Sequence, residues 1–158
     1  MDDKMLRAQL ISSLSGRGAH MPFDDVVEGF PAALAGKKIP NLAHTAWDIL
    51  YHMRMTQWDI LEFVRDPAHE SPQWPEGYWP RDGSAVTAKK WDETVEKHRA
   101  DLQAIIALVQ DPAVDLFSAI PHGSGQTLLR EALLVIDHNA YHLGQLVDVR
   151  RLLGSWEG

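Results

Sequence analysis

Apolar residues recur along this chain with a helical period and are broken by clusters of proline and glycine. From about Asp2 to Ser15 the pattern predicts a first helix, interrupted at Gly16 and Gly18. Phe23-Asp24-Asp25 opens a short second piece, with Asp24 placed to cap free N–H groups. Pro31, Gly36 and Pro40 limit it. Asn41 is then the expected cap of a long helix from about Leu42 to Arg65. Its stripe is Leu42, Ala46, Ile49, Leu50, Met53, Trp58, Leu61 and Val64, and Pro67 stops it. A loop with prolines at 67, 72, 75 and 80 follows, and its Trp74, Tyr78 and Trp79 favour a packed strap over a flexible linker. Ser84 is the expected cap of a third long element reaching about Val109. The last helix should run from about Gln126 to Leu153, with Gly144 as a site of close helix packing. No segment alternates with a strand period. The expectation is one all-α domain over residues 1–158, a four-helix bundle with a long loop between its second and third long helices.

Composition sharpens this picture in three ways. An apolar fraction of 45% and a charged fraction of 23% are ordinary for a folded domain. A net charge of −7 disfavours a broad nucleic-acid footprint, and Arg150-Arg151 reads as the cationic end of a helix. There is no cysteine, so disulfides, thiolate ligands and a cysteine nucleophile are excluded together. No apolar run is long enough for a membrane span, and the acidic start MDDKMLRAQL lacks the features of a signal peptide. A cytoplasmic protein is expected.

The candidate chemistry sits in the last helix, at His138-Asn-Ala-Tyr-His142. Residues four apart lie one above the other on a helix face, so two imidazoles can meet one metal ion without bending the backbone. Asn139 follows His138 where a metalloprotease would carry glutamate, which excludes that reading. With eight histidines in the chain, chance supplies on the order of 0.4 such pairs, so spacing alone decides little. Position adds more. The pair lies beside Leu134, Val135 and Leu146 on the apolar stripe, where polar rings need partners. Those partners are either hydrogen bonds or a metal. His52, in the middle of the long helix, is the best candidate for a third ligand, and Asp48 and Asp137 are candidates to orient the rings. His44, His98 and His122 read as loop, cap or exposed residues, and His20 and His69 receive no role. Met53 and Met55 read as core filler.

Three stretches, AWDILYHMRMTQWDILEFVRDP, WPEGYWP and QTLLREALLVIDHNAYHLGQLVDVRRLLG, resemble the DinB superfamily in its DinB-like/YfiT-like metal-binding branch. The resemblance implies a four-helix bundle holding one divalent ion, nickel or zinc, at one end of a cleft. It makes His52, His138 and His142 the first, second and third ligands. It also implies a homodimer. Some relatives transfer a low-molecular-weight thiol such as bacillithiol or mycothiol, and others are thiol-dependent maleylpyruvate isomerases. The expected function is therefore a metal-dependent enzyme moving a small thiol onto an electrophile, with Arg54 and Arg130 as candidates to meet an anionic thiol. No catalytic residue is assigned. The alternative is a non-catalytic metal-stabilised bundle that binds a small ligand or a protein partner.

Overall fold

The computed structural model describes residues 2–81 and 86–156. Five α-helices are present among them: α1 (Asp3–Leu14), α2 (Phe23–Val27), α3 (Ala46–Arg65), α4 (Ala88–Gln110) and α5 (Leu128–Leu152). A single 3-10 turn covers Ala32–Leu34. No strand occurs among the described residues; Ala119 and Thr127 form an isolated bridge. The fold is the expected helical bundle, in which α3 packs against α4 and α5 and α1 closes over α4 and α5. No described helix is long and apolar enough to cross a membrane.

The helix starts differ from the sequence expectation for identifiable reasons. Asn41 does not cap α3; it takes a left-handed turn conformation with φ +68°. The cap is Thr45, whose hydroxyl accepts from Asp48 N while the Asp48 carboxylate accepts from Thr45 N at 2.8 Å. Asp24 does not cap α2 either. Pro22 holds that position, and Asp24 instead accepts from Arg99 Nε at 2.7 Å. The expected cap Ser84 lies outside the described residues, and α4 is capped by Thr87, which accepts from Lys90 N. Thr127 does the same for α5. At the end of α1, Gly16 is left-handed (φ +70°), and an added Cβ would lie 2.9 Å from Pro22 Cα.

Two buried arginines hold helix ends that side-chain caps do not. Arg7 donates to the carbonyls of Val109, Asp111 and Val114 at 2.7–2.9 Å, closing the C-terminus of α4. Arg150 donates to Val26 O and Glu28 O at the end of α2 and to Ser155 O. Of the expected cationic pair, only Arg151 is an exposed helix-end charge. Gly144 is exposed, and a Cβ there would meet nothing within 4 Å, so it serves no close packing.

The core is divided. One apolar cluster gathers Phe23, Val26, Phe30, Trp47, Leu50, Met53, Trp91, Val95 and Leu146. The other gathers Leu10, Leu14, Ile60, Leu61, Ile105, Val109, Leu128 and Val135. Where α3, α4 and α5 pass from one cluster to the other they carry buried or half-buried polar residues: His52 and Gln57, His98, and His138, Asn139 and His142. Gln57 donates to His98 O at 2.7 Å and accepts from Asn139 Nδ2 at 2.9 Å, so the seam is stitched across three helices. His98 is fully buried here, stacked on Phe23 at 4.0 Å, which corrects its reading as a loop, cap or exposed residue.

Candidate metal centre

His52 on α3 and His138 and His142 on α5 meet at one edge of this seam. One ring nitrogen from each can be chosen so that all three lie within 4.8 Å of one another. His52 Nε2 and His138 Nε2 are 3.1 Å apart. Metal–nitrogen bonds of 2.0–2.1 Å at a tetrahedral angle put ligand nitrogens about 3.3 Å apart, so this pair already has the spacing of two ligands. The third lies no more than about 1.5 Å beyond that spacing from the other two.

The far side of each ring explains its aim. His52 Nδ1 donates to the carbonyl of Tyr78 at 3.3 Å, which turns Nε2 toward the centre. His142 Nδ1 donates to Gln145 Oε1 at 2.8 Å, with the same effect. The expected orienting carboxylates do not act. Asp48 is consumed by the cap of α3, and Asp137 is exposed. With the His52 proton on Nδ1, its Nε2 lone pair faces His138 Nε2 at van der Waals range or closer. Only a proton or a cation between the two nitrogens relieves that opposition, and the donor set suits a borderline divalent ion.

Electrostatics keep the rings neutral. Burial, then the neighbouring His142, pushes His52 down to about 4. Burial, then His142 and His52, pushes His138 down to about 3. Burial also lowers His142, with the Gln145 bond pulling the other way. At neutral pH each ring therefore offers a lone pair.

The centre opens on a cleft of about 600 Å³ that runs along α3 and α5. Beyond His52, its α3 wall carries Thr56, Asp59, Ile60 and Phe63. Its α5 wall carries Leu134, Glu131 and Arg130. The hydroxyl of Thr56 is buried with no hydrogen-bond partner among the described residues. Of the two arginine candidates, Arg130 lines the cleft and pairs with the buried Glu131 at 2.7 Å. Arg54 does not line it; it turns to Asp101 and lies over the Trp58 ring.

The loop after α3 supplies what sequence reasoning missed. Asp59 accepts from Tyr78 Oη at 2.6 Å and from His69 Nε2 at 2.7 Å, so one carboxylate holds both ends of residues 69–78. Burial and the Asp59 bond raise the Tyr78 phenol, which stays a donor. Trp79 stacks on His52 at 4.0 Å and on His44 at 4.0 Å, forming a three-ring column over the ligand. His69 thus has a structural part that its place in a proline-rich break concealed. Three aromatics within a loop between prolines were the available signal.

Comparison with curated proteins and with solved structures gives no match. The family model described as the DinB superfamily matches residues 17–146, a span that includes α2 through most of α5 and all three histidines. This chain belongs to the DinB superfamily.

Proposed function

We propose that this protein is a divalent-metal-dependent enzyme that transfers a small thiol to an electrophilic small molecule, with His52, His138 and His142 as ligands. The observation carrying the reading is the convergence of three neutral imidazoles from two helices at the wall of an open cleft. Three protein ligands leave a coordination position for an exogenous group, as in catalytic rather than closed structural sites. A zinc or nickel ion held there would lower the pKa of a bound thiol and so supply thiolate at neutral pH. The chain has no cysteine, so the sulfur comes from the co-substrate. Its own residues orient and confine. Tyr78 and Trp79 fix the His52 ring, Thr56 offers a free hydroxyl one turn further along α3, and Arg130, paired with Glu131, is the cationic group at the cleft wall that can hydrogen-bond a polar tail.

The test is metal content by elemental mass spectrometry in the parent and in His52→Ala and His142→Ala, followed by thiol consumption with an electrophile. About one equivalent of zinc or nickel, lost with turnover in both variants, is expected. Turnover that survives without metal sinks the proposal. A second reading, a metal-stabilised bundle that only binds, draws on one fact. Among the described residues no carboxylate contacts the three imidazoles. It predicts metal retention with no thiol consumption for any electrophile.

A further inference from the structure

Among the described residues three large aromatic side chains remain mostly in water, and two of them belong to the cleft: Trp74, 64% exposed, and Tyr141, 65%. Both line the cleft, and they reach it from different elements, the loop and α5. Each stands against a different ring of the triad. The Trp74 ring lies 6.1 Å from His52, and the Tyr141 ring lies 4.9 Å from His142, both edge-to-face. The same cleft wall carries the apolar side chains of Ile60, Phe63 and Leu134. Indole and phenol faces left beside a cleft are surfaces on which a flat ring stacks at a spacing of about 4.5–7 Å.

The charges around them choose among occupants. The two carboxylates that line the cleft are already engaged, so an organic cation would gain no uncommitted ion partner there. Glu131 is taken by Arg130, and Asp59 by Tyr78 and His69. A neutral ring needs no ion partner and can use both faces. We propose that the molecule bound in this cleft carries a flat aromatic or conjugated ring, held at Trp74 and Tyr141 while its polar head lies at the three imidazoles. The proposal rests on the metal reading for the head and on the two exposed rings for the body.

Benzohydroxamate and acetohydroxamate share one metal-binding head and differ in the phenyl ring, so their affinities for the zinc-loaded protein, by titration calorimetry, isolate the body. Benzohydroxamate is expected to bind about tenfold tighter or better. Trp74→Ala and Tyr141→Ala should each weaken it about fivefold, with acetohydroxamate affinity and zinc content unchanged. Equal binding of the two hydroxamates, or variants that weaken both alike, overturns the proposal. So does a change of oligomeric state in the variants with hydroxamate affinities intact, which assigns the rings to an interface. Titrating 2-naphthoate against metal-free protein separates the two readings. Binding lost in both variants supports the aromatic slot even if zinc is never retained, and absence of naphthoate binding there overturns it.

Discussion

His98 makes the stability of this bundle sensitive to mild acid. The ring is fully buried against Phe23, and neither of its nitrogens reaches hydrogen-bonding geometry with a partner among the described residues. Burial pushes it down to about 4, while the nearby Asn139 side chain and Asp24 pull weakly the other way. In the unfolded chain the same imidazole titrates near 6.5. Between these values the unfolded state binds a proton that the folded state refuses, so stability is present above pH 6.5 and is lost as pH falls toward 4. Linkage over the interval from pH 7.5 to pH 5 gives a loss of about 2 kcal/mol from this residue alone, against a total of ~5–15 kcal/mol for a domain. His52 and His138 act in the same direction in metal-free protein. Comparison with His98→Leu therefore isolates the contribution of this ring. Urea unfolding of chelator-treated parent and variant at pH 7.5 and pH 5 should show the variant losing about 2 kcal/mol less. At pH 7.5 the variant should be no less stable, since it replaces an unsatisfied polar ring with an apolar side chain of similar size. Equal acid losses in the two proteins would show that the buried His98 ring is not the source of the acid sensitivity.

Two further outcomes follow from the described contacts. Arg7→Met leaves three carbonyls at the end of α4 without their donor, and should cost roughly 3 kcal/mol and lower Tm by about 10 °C; a shift under 3 °C in a calorimetric scan would show that water replaces the guanidinium freely. Asp59→Asn keeps the size of the side chain but removes one of two acceptors, freeing Tyr78 or His69. Zinc affinity, measured by competition with a chromophoric chelator, should fall about tenfold or more because the Tyr78 carbonyl then holds His52 less firmly, and unchanged affinity would reduce the loop to mere packing.

The sequence disclosed the parts of this molecule that periodicity governs. The register of α5 put His138 and His142 on the stripe with Val135 and Leu146, and that stripe faces the interior as the 3.6-residue repeat requires. His52 followed from the same argument on α3. Long-range contacts were not legible. Nothing local shows that His98 lies beneath Phe23, or that Arg7 meets carbonyls more than a hundred positions away. The start of α3 was legible but masked. Thr45 and Asp48 have the spacing of a capping box, whereas apolar Leu42 extended the stripe by one turn although it is exposed. The orienting partners of the histidines were hidden for a different reason. One is a backbone carbonyl and the other an amide, and neither residue type marks a site by itself.

The carboxylate of Asp59 ties both His69 and Tyr78, so the segment between them hangs from α3 by a single knot. Surface loops ordinarily tolerate change in length and composition along their whole course. Here that freedom is partitioned. The neck is fixed, because it also carries the carbonyl and the indole that hold His52, whereas the bight beyond it touches the cleft chiefly through Ser71 and Trp74. Within residues 70–77 the freedom narrows further: an added Cβ on Gly77 would lie 2.4 Å from Pro72 Cβ and Pro75 O accepts from Tyr78 N, whereas the exposed Trp74 is open to exchange. Exchange at Trp74 and Ser71 is then the route by which what the cleft accepts can change while the carbonyl and indole that hold the ligand ring stay in place.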